Sequence, residues 1–379
     1  MSTFKTIPNP DLAVGADNKQ RWNQPQHRRH GFHNAHTLFR RGAMFRARSV
    51  LVLEDALDNE LAARGEVEEL TGHDAFSALV VARENRVWLE RCADDFSPHH
   101  PHSIQSVTKM HIHLIAGDLV EQGVLDLSKP VSHYLPGMGL GYADASVQDL
   151  LDMNVVNDFS EDYSDPLSDC YTEEIALGWR LPEEKKAEPS LEEFAYGITG
   201  TGLTNTSGHA DYKSANTDVL TLLCSRVSDV PLHTLIGDIV DAAGYEGAFY
   251  ISTSSEHLPA FSGGGCLSAR DLARFGLLFA RRGFGVNGHQ VGSAVFINNA
   301  LLREAPCLEP PRNWMRYSNH LMTDGRFLGH AGYGGQFLMA DMQSGAVAAY
   351  LSVLENEAGY DDDYLARVVQ NLTNLLRKF

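Results

Sequence analysis

Two β-prone runs, SALVVARE at residues 77–84 and RVWLER at residues 86–91, meet at the polar step Glu84 and Asn85. Apolar runs flanking a polar step predict a β-hairpin. From residue 104 to 121 the spacing changes. Val107, Met110, Leu114, Leu119 and Val120 recur near a 3.6-residue period and Gly123 follows as a stop, which predicts a helix. Ser146 followed by Asp149 predicts a capped helix start ahead of Leu150 and Leu151. SARDLARFGLLFARR at residues 268–282 predicts an amphipathic helix directly after Gly263, Gly264 and Gly265. Residues 327–352 predict strands, with Gln343, Ser344 and Gly345 turning residues 336–342 back into 346–352. A final helix is predicted over residues 361–378, acidic at its start and basic at its end as the helix dipole prefers. Its apolar stripe is Leu365, Val368, Val369, Leu372, Leu375 and Leu376.

Other stretches lack a period. Residues 1–45 are polar and rich in histidine and arginine, and predict an extended arm over the surface. Residues 157–190 are acidic and carry Pro166, Pro182 and Pro189, which predicts a long excursion of the kind that often lies over a site. Strands towards both ends with helices between them predict an α/β (α+β) protein. A sheet lobe would be formed by residues 46–115 and 245–379, and a mostly helical lobe, residues 116–244, would be inserted in it.

Composition narrows the partners. Of the 379 residues, 43% are hydrophobic and 21% charged, as in globular proteins. The 31 Lys and Arg against 49 Asp and Glu leave a net charge of −18, which repels nucleic acid and anionic membrane surfaces. No run approaches the ~20 apolar residues of a membrane span, and the start lacks a signal-peptide pattern. Five scattered cysteines with no CxxC pair fit reduced thiols and a cytoplasmic protein. A homo-oligomer is compatible with the sequence, the arm wrapping its own sheet or a neighbour's.

Candidate chemistry begins at Ser106-Val107-Thr108-Lys109, an S-x-x-K tetrapeptide at the start of the helix predicted from residue 104. The i, i+3 spacing puts hydroxyl and amine on one face. A serine needs a base to become a nucleophile, and a desolvated lysine can serve as one. The helix N-terminus can add a backbone N–H for an oxyanion. The same tetrapeptide recurs at Ser2 to Lys5, so spacing alone does not single out Ser106. His99, His100 and His102, and the pair His111 and His113, match no HExxH or His/Cys spacing, so neither metal nor cofactor is expected.

Two further motifs follow in order: YKSANTDVL from Tyr212 and GHAGYGGQ from Gly329. With these the chain resembles the serine β-lactamase and penicillin-binding-protein superfamily, on its class C side with the family VIII carboxylesterases. It is most similar to the aminohexanoate-oligomer (nylon oligomer) hydrolase branch. SVQDLLDM at residues 146–153, EDYSDPLSD at 161–169 and GGGCLSARDLARFG at 263–276 carry the likeness further, over roughly residue 77 to the C-terminus. The resemblance implies a β-lactamase/transpeptidase-like fold, an antiparallel sheet flanked by helices. It implies Ser106 as the acylated nucleophile, Lys109 as its partner and Tyr212 as general base. The N–H groups of Ser106 and Tyr333 would form the oxyanion hole. Tyr163, Ser214, His330 and Gly332 would bind substrate, Tyr163 as a loop residue closing over the amide.

Two departures matter. Ser214 stands where the class C pattern has asparagine, and His330 where penicillin-recognising enzymes commonly have lysine. A histidine near its ordinary pKa of ~6.5 offers a substrate carboxylate only part of a charge at neutral pH. The expected function is a serine hydrolase cleaving a small amide or ester. A β-lactamase, a D-amino-acid peptidase and a non-hydrolytic ligand-binding protein on the same fold are the alternatives.

Overall fold

The computed structural model describes residues 22–379 except 164 and 166. The second S-x-x-K copy lies outside the described residues. Strands are numbered in chain order. The larger sheet runs β2 (Glu54–Asp55), β4 (Arg86–Cys92), β3 (Phe76–Arg83), β12 (Ala346–Ser352), β11 (Gln336–Asp341), β10 (Phe327–Gly332), β9 (Leu321–Thr323), β8 (Arg316–Ser318). Every neighbouring pair is antiparallel except β2 with β4. A smaller sheet runs β1 (Gly42–Arg46), β6 (Ala248–Ser252), β7 (Gly265–Leu267), β5 (His102–Ser103).

The central strands are covered on both faces, which is why they read as unbroken apolar runs rather than alternating ones. Ala78, Val80 and Ala82 of β3 join Leu338, Val347 and Ala349 on one face. Leu79 and Val81 join Phe337, Met339, Ala348 and Tyr350 on the other. The first face is covered by the predicted amphipathic helix, Ala269–Ala280, capped by Ser268. This helix lies so close that a Cβ on Gly276 would stand 2.8 Å from Leu338. The second face is covered by the C-terminal helix Asp362–Leu376, whose stripe from Leu365 to Leu376 is buried.

Between β5 and β6 all the helices and strands among the described residues are helical. Within the excursion read as irregular, Cys170–Ala176 forms a helix with Cys170, Glu173 and Ala176 buried. The expected extended arm differs more. From Pro25 to His33 it is a helix, with Pro25 at its first turn and Arg28, Arg29, Phe32 and His33 buried. Apart from Phe32, its inward face is made of guanidinium and imidazole groups rather than leucines, so no hydrophobic period announces it. Among the described residues no single helix is long and apolar enough to cross a membrane.

Candidate active site

Ser106 lies on a 3-10 turn, Gln105–Thr108, and the α-helix begins only at Lys109, running Lys109–Glu121. The later α-helical start follows from the backbone at Gln105, which has φ +48°. A left-handed conformation at a non-glycine residue costs roughly 1–2 kcal/mol and persists only where its surroundings impose it. Thr108 Oγ1 donates to the Gln105 carbonyl at 2.6 Å and accepts from Gly265 N–H at 3.0 Å. Ile104 N–H donates to the Gly265 carbonyl at 3.0 Å. The end of β10 closes the other side: a Cβ on Gly332 would stand 2.7 Å from the Ile104 carbonyl, so only glycine fits there.

Lys109 is fully buried. Its Nζ donates to Ser106 Oγ at 3.0 Å, Ser214 Oγ at 3.1 Å and the Ser262 carbonyl at 2.5 Å. Three acceptors match the three N–H bonds of an ammonium. Ser214 opens the helix Ser214–Val227. Its N–H and Oγ donate to the Glu161 carboxylate at 2.6 and 2.8 Å, and Tyr163 Oη donates to the same group at 2.8 Å. A carboxylate at a helix N-terminus is favoured by the helix dipole. The Ser214 hydroxyl is thereby directed to give its proton to Glu161 and accept from Lys109.

Tyr212, two residues before that helix, has its ring centroid 5.1 Å from Lys109 Nζ and packs edge-on against Tyr317. Its buried hydroxyl lies against Lys109 and Ser106 without a well-aligned hydrogen bond. Burial pushes its pKa up, and the Lys109 charge pulls back the other way. Tyr163 is about a third exposed at 37%, with its ring 5.5 Å from that of Tyr333. Ser106, Tyr163, Ser214 and Tyr333 line one cleft of about 70 Å³, together with Trp22, Asn23 and Trp179.

The structure places His330 elsewhere. It is buried behind Tyr212, with Nδ1 bonded to the Ala331 carbonyl at 2.5 Å and Nε2 to Tyr317 Oη at 2.9 Å. These bonds assign the neutral tautomer protonated on Nδ1. Burial, then the Lys109 charge, holds its pKa well below the usual range. The part-charge facing a substrate carboxylate that the sequence suggested is therefore absent in this arrangement. His111 stacks between Phe249 and Phe275 at 4.4 and 4.1 Å, and His113 bonds the Asn319 carbonyl at 2.6 Å. Both are packing groups.

A serine, a buried lysine and a tyrosine meeting between a two-faced sheet and a helical lobe define the β-lactamase fold class. The beta-lactamase family model matches residues 73–371, and the chain belongs to that family. It is a hydrolase of the amidase and esterase type. The 6-aminohexanoate-dimer hydrolase of Paenarthrobacter ureafaciens is 31% identical over 292 residues, 74% of this chain and 72% of that protein. A Bacillus anthracis structure provisionally assigned as a 6-aminohexanoate-dimer hydrolase superposes with TM-score 0.81 at 18% identity, covering 99% of this chain and 100% of its own. A D-stereospecific amidohydrolase from Streptomyces gives TM-score 0.58 at 15% identity over 83% of this chain and 98% of its own.

Several site residues escaped the sequence reading. Glu161 stood inside the EDYSDPLSD block, and its role needed the Ser214 contact to be seen. Trp22 and Asn23 carried no signal, because they reach the cleft only through the fold of the N-terminal segment.

Proposed function

We propose that the protein cleaves a small linear amide through an acyl-enzyme on Ser106. The observation that carries this reading is Lys109, bridging Ser106 and Ser214 with Tyr212 alongside. Ser106 Oγ attacks the amide carbonyl while its proton passes to the Tyr212 oxygen, the Lys109 ammonium alongside favouring the phenolate form that accepts it. The N–H groups of Ser106 and Tyr333, at the cleft wall, hold the oxyanion. Tyr212 returns the proton to the leaving nitrogen, the C–N bond breaks, and the amine departs. Water then attacks the ester, yields its proton to Tyr212, and frees the acid as Ser106 is reprotonated.

A linear amide is favoured over a β-lactam because Ser214 replaces the asparagine and His330 is neutral and turned away. The relative from Paenarthrobacter is named for cleaving such an amide, and a short ester would acylate by the same path. Tyr163 closes over the amide from the loop, and Gly332 lets backbone approach it. The five free cysteines support a cytoplasmic setting.

The test is intact-mass spectrometry after incubation with a fluorophosphonate, followed by peptide mapping. A single adduct on Ser106, absent in Ser106→Ala together with turnover of linear amides, is expected. A folded protein with no adduct, or near-full activity in Ser106→Ala, would overturn the reading in favour of a non-hydrolytic binder.

A further inference from the structure

Beside Lys109, two carboxyl groups meet. Asp218 comes from the helix Ser214–Val227 and is fully buried, and Glu173 comes from Cys170–Ala176 and is 4% exposed. Neither oxygen of Asp218, nor Oε1 of Glu173, has a donor aligned on it. The two side chains are in hydrogen-bonding contact with each other, and Asp218 also reaches the Ser262 side chain. Ser262 supplies the carbonyl that receives the shortest of the three Lys109 bonds.

Two dry carboxylates in contact, with no donor between them, cannot both stay ionised. One proton between them gives each a partner and leaves a single negative charge. Burial raises both pKa values; the Asp218 charge lifts Glu173 further, well above the carboxylate range, while the bonds from Glu173 and Ser262 pull Asp218 back to about 6. The charged and titratable groups facing the pair are Lys109 from its helix, Glu161 from the loop, and Tyr142 and Tyr163. Lys109 is the cation among them.

We propose that Glu173 and Asp218 are positioning residues that share one proton and supply the single buried negative charge holding Lys109 as an ammonium against Ser106 and Ser214. The pair lies beside Lys109, Glu173 lining the same cleft as Ser106. It acts through Lys109, and this role rests on the assignment of Ser106, Lys109 and Tyr212 above.

One proton and one charge make a distinctive prediction. An amide N–H donates where the protonated acid's O–H did, so Glu173→Gln or Asp218→Asn keeps both the bond and the charge. The double variant Glu173→Gln/Asp218→Asn keeps the shape and loses the charge. Each single variant should leave the alkaline limb of the kcat/KM profile in place, and the double variant should move it down by about one pH unit, as expected when one nearby charge is lost. A comparable shift in each single variant means two charges and overturns the proposal. No shift in a folded double variant means none, and also overturns it.

Should the double variant fail to fold, infrared difference spectra of wild type against each single variant decide. The carbonyl stretch of one protonated carboxylic acid should be present in wild type at neutral pH and lost in both singles. Its absence from wild type would overturn the pair. This band needs no turnover, so full activity in Ser106→Ala would sink the hydrolytic reading while leaving the pair to be judged by its own spectrum.

Discussion

Two terminal helices, Pro25–His33 and Asp362–Leu376, pack against the same body by opposite means. The C-terminal helix buries Leu365, Val368, Val369, Leu372, Leu375 and Leu376, and Asp361 caps its first turn. The N-terminal helix has no side-chain cap and is fastened by cations. Arg28 donates to the carbonyls of Leu354 and Asn356 at 2.6 Å, and Arg29 holds both oxygens of Asp95 at 2.7 Å and the Phe76 carbonyl at 2.8 Å. Apolar burial is non-directional and tolerates small shifts. Guanidinium-to-carbonyl anchoring depends on direction and on every partner being met. One helix is therefore held by area and the other by geometry.

Removing a single anchor should separate the two most sharply. Arg29→Ala takes the bidentate partner from Asp95 and a donor from buried carbonyls, and should cost about 4 kcal/mol by the measure of broken buried pairs. Leu372→Ala in the C-terminal helix leaves a methyl-lined cavity and should cost about 3 kcal/mol. Urea unfolding of both variants checks the order. A nearly neutral Arg29→Ala would show that the N-terminal helix is held by Phe32 and its neighbours rather than by its cations.

Acid should loosen the N-terminal helix first. His33 bonds Ser77 Oγ at 3.0 Å and lies 5.1 Å, ring to ring, from His102, and burial pushes both pKa values down, His102 to about 3. A histidine whose folded pKa is depressed is protonated first in the unfolded chain, so its contribution is complete above 6.5 and is lost as the pH falls towards 3. At pH 5 His102 alone should cost about 2 kcal/mol, and His33, His36 and His30, all lowered, act in the same direction. Hydrogen exchange at pH 7 and pH 5 should show Pro25–His33 opening, while Asp362–Leu376 changes less because the histidine packed on it, His73 at Tyr364, is half-buried. Equal loss of protection in both helices would mean that acid acts on the whole body.

The same contrast explains what could be read from the sequence. Helices and strands held by apolar faces were legible, from the hairpin after residue 76 to the C-terminal helix, because hydrophobic periodicity records area. Ser106, Lys109, Tyr212, Ser214 and Tyr333 were legible as motifs; Ser106, Ser214 and Tyr333 line one cleft, and Lys109 bonds Ser106 and Ser214 with Tyr212 alongside. Elements held by polar geometry were not. The N-terminal helix shows Arg28, Arg29 and His33 where leucines would have announced it. The 3-10 turn under Ser106 depends on Thr108 meeting Gly265 and on Gly332, both glycines distant in sequence. The Glu173 and Asp218 pair joins two helices across the lobe, and no local spacing encodes a shared proton.

The smallest effect joins the N-terminal helix to chemistry. Trp22, 5% exposed, packs its ring 5.4 Å from Trp179 and 6.0 Å from Phe32 while forming part of the cleft wall beside Ser106. Trp22→Phe keeps an aromatic ring on Phe32 and removes apolar surface from the wall, worth about 1 kcal/mol. Surface that contacts the substrate equally before and during reaction changes binding without changing the barrier that follows, so KM for a linear amide should rise a few-fold with kcat nearly unchanged. If kcat fell instead and KM held, Trp22 would be steadying the Ser106 turn rather than the substrate. The geometry-held helix would then serve the nucleophile, a task the area-held helix, behind the sheet, is not placed to share.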